Sequence, residues 1–425
     1  MRGVAFFVIS ICGSLISVSC ATARLSSNKQ RYEVEQHLKK LNKPAVKTIL
    51  SPDGDIIDCV HISKQPAFDH PLLKDHKIKM RPSYHPAEGQ FDANKESTRV
   101  NANKEATNDT KTIVSQLWHN NGKCPLGTIP IRRTKEEDVL RAGSMVNMYG
   151  MKKPGSFPIK PEDDSNDGSK GARYEHAIAY VGDAKSDKYH GSKVTINVWE
   201  PYVEPNEFSS SQMWILGGSL EGRLESIEAG WHVHPELYGD NNPRLFTYWT
   251  MDTYKTTGCY NLLCSGFIQI NNEIVVGAII SPFSTYDYKP QYDISVLIWK
   301  DPKQGDWWLQ YGNEYIIGYW PSSLFSFLDK DASMIQWGGE VMNSQSGGRH
   351  TPTQMGSGHF PEEGFGKTSY FKNIQVVSGS NILDAPKDLS TFTENSSCYD
   401  VRAYTNKGWG YHLYYGGLGK SDICP

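Results

Sequence analysis

The chain has 425 residues, room for two domains rather than one, and its formal net charge of −3 comes from interspersed acids and bases. That balance speaks against a nucleic-acid partner, for which a basic face is needed. Aromatics make up 12% of the residues, and Gly, Asn and Thr recur between short apolar runs, a mixture that favours strands and turns over helices.

In chain order, Arg2, the apolar run Val4 to Val18 and the small residues Ala21-Thr22-Ala23 read as a secretory signal over residues 1–23. No later stretch approaches the roughly 20 apolar residues of a membrane span. A soluble, secreted chain without a membrane partner is therefore expected, bound for the extracellular space, a cell wall or a vacuole. A helix is predicted over residues 28–42, where Val34, Leu38 and Leu41 follow helical spacing and Lys43-Pro44 stops it. KTILSPDGDIIDCVHI sets two apolar runs around Asp53-Gly54, a hairpin pattern. The polar stretch 83–112 reads as an exposed loop. This first unit, residues 24–150, closes near VNMYG.

Residues 152–173, KKPGSFPIKPEDDSNDGSKGAR, hold three prolines, three glycines and no apolar periodicity. A linker over 151–173 is expected there, open to proteases. From 174 to 425 short apolar runs alternate with turns. HAIAYV and KVTINVWEP read as a strand pair, and FIQI and EIVVGAII flank Asn271-Asn272. DISVLIWK precedes DWWLQYG, and YDVRAYT and GWGYHLYY flank Asn406-Lys407-Gly408. Apart from a turn at PSSLFSFL, helical periodicity is nearly absent, so this unit should be a β-sandwich or a barrel.

Cys12 and Cys20 leave with the signal, and six of the eight cysteines remain. The even count in each half suggests one disulfide in the first and two in the second, for which the expected pairs are Cys59–Cys124, Cys259–Cys264 and Cys398–Cys424. Sequons at Asn108 and Asn395 suit glycosylation on surface loops.

Two stretches raise a chemical question. In SIEAGWHVHP, strand alternation gives Ile227, Ala229, Trp231 and Val233 one apolar face. Glu228, Gly230, His232 and His234 take the other. In IQWGGEV, Ile335, Trp337, Gly339 and Val341 face one way, and Gln336, Gly338 and Glu340 the other. Each glutamate has a glycine two residues away on its own side. If the strands meet, the carboxylates face each other over a space cleared for a substrate backbone.

Close carboxylates resist double ionisation and titrate as a unit. The ionised one takes a proton from water while the protonated one donates to a carbonyl or a leaving group, chemistry suited to acid pH. The bland reading of each glutamate is a solvated charge on a polar strand face. His232 and His234 with Glu228 have the spacing of a two-histidine, one-carboxylate metal site. Pro235 ends that strand at once, so no metal and no other cofactor is expected. No Gly-x-Ser-x-Gly elbow occurs, and Cys264 reads as a disulfide partner rather than a nucleophile. Trp307-Trp308 and Tyr319-Trp320 read mainly as core, and no substrate-binding residue is legible.

Taken together, KTILSPDGDIIDCVHISKQPAFDHPLLKDHKIKMRPS, SIEAGWHVHPELYGDNNPRLFTYWTMD, CYNLLCSGFIQ, DWWLQYG, YIIGYWPSSLF and IQWGGEV resemble, in order, the neprosin family of secreted plant glutamic peptidases. The resemblance implies an activation peptide ahead of an antiparallel β-sandwich catalytic domain over 174–425, with a small α+β pro-domain. It implies Glu228 and Glu340 as the catalytic pair, acid-active cleavage after proline, and a pro-domain that blocks the cleft until removed at acid pH. The cysteine layout fits that family. The implied partners are a peptide or protein substrate and the chain's own pro-domain, with a monomer as the default. The same carboxylate pair also equips a glycoside hydrolase, and a silent binding protein on the same scaffold is the third reading.

Overall fold

The computed structural model describes residues 29–88, 116–142, 149–152, 173–182, 188–219, 223–287, 290–345 and 349–425. The signal at 1–23, Asn108 and linker residues 153–172 lie outside them.

The N-terminal part opens with helix α1, residues 29–41, which buries Val34 and Leu41 as their spacing predicts. Strands β1 (Ala45–Leu50) and β2 (Ile56–His61) form the hairpin about Asp53-Gly54. A two-residue strand β3 (Ala87–Glu88) follows. β4 (Thr128–Arg132) then pairs with β2 to complete a three-stranded sheet, and helix α2 (Glu136–Arg141) comes next. The Cys59–Cys124 disulfide staples this sheet beneath Trp118.

The rest of the chain is a two-sheet antiparallel sandwich, so the protein is mainly β. The first sheet contains β5 (Arg173–Val181), β7 (Ser209–Gly218), β8 (Leu224–Val233), β9 (Arg244–Thr250), β10 (Cys259–Tyr260), β15 (Met334–Asn343) and β18 (Ser390–Thr393). Its order is β10-β9-β8-β7-β15-β5-β18. A short helix α3 (Pro235–Tyr238) follows β8. The second sheet contains β6 (Gly191–Asn197), β11 (Ile268–Gln269), β12 (Asp293–Lys300), β13 (Trp307–Tyr311), β14 (Tyr315–Trp320), β16 (Ser369–Val377), β17 (Ile382–Asp384), β19 (Asp400–Asn406) and β20 (Gly410–Gly416). β3 of the N-terminal part adds to its β17 edge in parallel.

Alternation dictates what lies between the sheets. Ile227, Ala229, Trp231 and Val233 from β8 and Ile335, Trp337 and Val341 from β15 share one core with Val194, Ile196 and Phe371 of the opposite sheet. Buried indole N–H groups donate across that core. Trp231 Nε1 reaches Asn197 O at 2.9 Å, and Trp337 Nε1 reaches Ser192 Oγ at 3.0 Å. Trp307, Trp308, Tyr319 and Trp320 are all buried in the second sheet, as core aromatics. The Cys259–Cys264 and Cys398–Cys424 disulfides are also present. Asn395 is exposed in the turn after β18.

Three expectations change. HAIAYV and KVTINVWEP do not pair: β5 lies between β15 and β18, β6 between β12 and β16. Both runs are apolar because each buries one face in the core between the sheets rather than pairing along a ladder. EIVVGAII is not a strand. Ile274 and Val276 enter the sandwich core, whereas Val275 and Ala278 pack on Ile49, Ile57 and Trp118 of the N-terminal part. Two cores, one on each side, account for its apolarity. Lastly, the start of the 83–112 loop is docked rather than free. Ser83 Oγ donates to Asp301 at 2.6 Å, and β3 pairs with β17.

Candidate active site

The outer face of the first sheet, turned away from the sandwich core, carries Glu228 on β8 and Glu340 on β15. β7 runs between these strands. Its Gln212 is in register with Gly230 on one side and Gly338 on the other. The glycines do not open a hole for substrate, as their spacing suggests. A Cβ on Gly338, at φ +153°, would lie 2.2 Å from Ala177 O, and one on Gly230 would lie 2.0 Å from Ser211 O. Gly230 lets β8 close up on β7 beside Gln212, and Gly338 lets β15 close up on β5; Gln212 Nε2 donates to Glu340 Oε2 at 2.8 Å.

Both carboxylates are fully buried. Between them stands Lys152, the last described residue before 153–172. Its Nζ is 2.7 Å from Glu228 Oε2 and 2.9 Å from Glu340 Oε2. Burial works against the ammonium, the charges of Glu228 and Glu340 outweigh it, and its pKa is raised. Lys152 also lies over the Tyr248 and Tyr254 rings, 5.3 and 5.5 Å from their centroids. Glu228 Oε1 accepts from Tyr254 OH at 2.6 Å and from Ser226 Oγ at 2.7 Å. The sequence assigns Lys152 to an exposed linker; the structure gives it the centre of the site.

The segment leading to Lys152 is held by main chain and by aromatic packing. Tyr260 N–H donates to Gly150 O at 2.8 Å, and Lys152 N–H donates to Tyr248 OH at 3.2 Å. Tyr149, Val34, Leu41 and Val139 share a cluster with Tyr238, Phe246, Tyr248, Tyr254 and Tyr260. Each such buried apolar group is worth about 1.5–3 kcal/mol. Elsewhere, buried Asp55 binds Arg132 Nε at 2.8 Å and Arg244 Nη1 at 2.7 Å. Lys79 pairs with Asp306, and His76 lies 2.9 Å from Tyr319 OH. The N-terminal part is thus clamped to the sandwich at several points besides Lys152.

His232 and His234 do not converge on Glu228. His232 stacks on Phe246 at 4.3 Å, with Nε2 3.0 Å from Tyr238 OH. Burial, His234, Lys152 and Arg244 hold its pKa well below the usual histidine range. His234 stacks on Phe208 at 5.2 Å. Among the described residues, the only His/Cys/Asp/Glu grouping with metal-ligand proximity is His350 with Cys398 and Cys424, and those two cysteines form a disulfide.

Residues 205–418 match the Neprosin family model, and residues 48–180 match the Neprosin activation peptide. The chain belongs to the neprosin family. Its activation-peptide match runs through Lys152 and into β5. Among solved structures, Scytalido-glutamic peptidase with a peptide-based transition state analog aligns over 58% of this neprosin-family chain and 97% of its own, at 10% identity and a TM-score of 0.30. SCP-B, a member of the Eqolisin family of peptidases in complex with the tripeptide Ala-Ile-His, aligns over 57% and 96%, at 10% identity and a TM-score of 0.29. A beta-porphyranase from the human gut bacterium Bacteroides plebeius aligns over 39% and 56%, at 11% identity and a TM-score of 0.19. Overlaps this loose leave the chemistry to be argued from the residues of the neprosin-family chain itself.

Sequence reasoning misses Lys152, Gln212, Tyr254 and His176, which surround the two glutamates. Gln212 leaves only a weak trace: alternation puts it opposite Met213 and Ile215, but on one face with Ser210, Trp214 and Leu216. The others carry no local signal, because their contacts span long stretches of chain.

Proposed function

We propose that the chain is the secreted zymogen of an acid-active glutamic endopeptidase, with Glu228 and Glu340 as the reacting pair. The observation that carries this reading is the pair itself: two fully buried carboxylates bridged by one ammonium from the activation segment. Buried glutamates are costly unless paired. Here the pairing cation belongs to the activation-peptide match and directly precedes the Pro- and Gly-rich residues 153–172, where cleavage would release it.

Once Lys152 leaves, two neighbouring carboxylates share one proton. The ionised glutamate takes a proton from water as the water oxygen bonds to the scissile carbonyl carbon. The protonated glutamate gives its proton to the carbonyl oxygen. Collapse of the tetrahedral species breaks the C–N bond as one hydroxyl returns its proton to the glutamate that had donated, and the proton gained from water passes to the departing nitrogen. Gln212 Nε2 fixes Glu340, and Tyr254 and Ser226 fix Glu228. The Tyr248 and Tyr254 rings vacated by Lys152 suit an apolar ring, which favours cleavage after proline.

Mass spectrometry of the purified precursor tests this, before and after a shift below the ordinary carboxylate range. Wild type is expected to lose its N-terminal part by cuts within 153–172, and then to cleave a proline-containing peptide. Glu228→Gln and Glu340→Gln are expected to stay intact. If all three remain whole, and wild type stays inert after an added protease cuts the linker, the peptidase reading fails. Release of reducing ends from a polysaccharide would instead mark glycoside hydrolysis.

A further inference from the structure

Glu340 has a second cationic neighbour, one that belongs to the sandwich and stays when the activation segment goes. His176 on β5 is in register with Glu340 on β15 and is fully buried. Its Nε2 is 3.8 Å from Glu340 Oε1. Its Nδ1 is 2.8 Å from Glu394 Oε1, and its backbone N–H donates to Glu394 Oε2 at 2.6 Å. Glu394 therefore grips both the ring and the main chain of His176.

With the Nδ1 proton directed at Glu394, the state of Nε2 decides the electrostatics. A bare Nε2 would set a lone pair against a carboxylate in a dry site. A protonated Nε2 makes Glu394, His176 and Glu340 a row of alternating charge. Burial disfavours the imidazolium, but Glu394 and Glu340 outweigh it and push its pKa up to about 9. The other groups around the ring do not reverse this. The Trp214 ring lies 6.3 Å away. The neighbouring Glu175 carboxylate is turned to His350 and Asn343. Lys152 reaches Glu340 through its other oxygen.

We propose that His176, steadied by Glu394, is a positioning residue that keeps Glu340 ionised after Lys152 has left. Glu340 is then the base that takes the proton from water, and Glu228 carries the proton destined for the carbonyl oxygen. The partners agree with this division: Glu228 Oε1 faces two neutral hydroxyls, those of Tyr254 and Ser226. The assignment rests on the peptidase reading above and refines it.

The test is the pH profile of kcat/KM for the activated enzyme on a peptide, with His176→Gln, His176→Lys and Glu394→Gln. Without the cation, Glu340 is protonated more readily. The acid limb should therefore move up by about one pH unit or more in His176→Gln, and by less in Glu394→Gln. His176→Lys should keep the wild-type limb. A uniform fall in rate with an unmoved acid limb in His176→Gln would overturn the proposal and leave His176 a packing residue. Independently of activity, an NMR titration of the His176 ring in the precursor should find it cationic through neutral pH; a ring neutral at pH 7 would overturn the proposal too. If wild type cleaves no peptide, the peptidase reading falls by itself, and the ring titration still decides the charge.

Discussion

β8 carries two buried glutamates, Glu225 and Glu228, and their surroundings could hardly differ more. Glu225 accepts from the backbone N–H groups of Ser326, Phe327 and Leu328 at 2.8–3.1 Å, and pairs with Arg223 at 3.3 Å. Its partners are main chain of the sandwich and stay with it. Glu228 is held by two hydroxyls and by Lys152 of the activation segment. Burial alone therefore does not single out a reacting carboxylate. On the reading proposed above, a partner that can be taken away does, because its removal would turn a satisfied ion pair into a reactive one.

The contrast is broken most forcefully at Lys152. Lys152→Met leaves two buried carboxylates facing each other without their bridging cation, and breaking such a pair costs about 3–5 kcal/mol. In a precursor whose linker has been cut, the N-terminal part should then come off the sandwich at neutral pH, where the wild-type part stays docked. Size-exclusion chromatography reads this directly. Continued co-elution of the variant would mean that the aromatic cluster and the Asp55 clamp carry the docking without Lys152.

Glu225→Gln sharpens the other side. It weakens charge-assisted bonds to three amides, so stability should fall by about 1–3 kcal/mol in a denaturant titration, while peptide cleavage by the activated chain is kept. Equal loss of activity at Glu225 and at Glu228 would erase the distinction.

The smallest effect is expected at Asp55. Burial raises its pKa, but Arg244 and Arg132 outweigh it and hold the carboxyl below the usual aspartate range. A depressed pKa stabilises the docked form above the ordinary aspartate value and loses that contribution only as pH falls through the lowered one. Asp55→Asn removes it at every pH, so release of the N-terminal part should begin at a higher pH than in wild type. Arg244 keeps Asp240 at 2.6 Å and Arg132 keeps Asp138 at 3.2 Å, which limits the size of the shift. Release plotted against pH measures it.

Alternation carried a good deal of this architecture. Ile227, Ala229, Trp231 and Val233 face the core, and Glu228 and Glu340 emerge on the opposite face of neighbouring parts of one sheet, as period two requires. Local turn chemistry likewise located the β1–β2 hairpin. What stayed hidden is non-local. A lysine in a Pro- and Gly-rich stretch gives no sign that it will be buried between two carboxylates. Strands adjacent in sequence often pair, but β5 and β6 part company because each buries an apolar face against the other sheet. The glycines beside the glutamates are ambiguous in sequence for a subtler reason: a missing side chain can serve a ladder as well as a ligand, and the distances to Ala177 O and Ser211 O decide for the ladder.

The decisive measurement is the turnover of a proline-containing peptide at acid pH by the activated chain, for wild type, Glu228→Gln, Glu340→Gln and Glu225→Gln side by side. If Glu228 and Glu340 are the reacting pair, their variants should lose at least about 10²–10⁴-fold in kcat. They should remain folded, and Glu225→Gln should keep most of its rate. Wild-type turnover by either Glu228→Gln or Glu340→Gln would contradict the assignment of the pair.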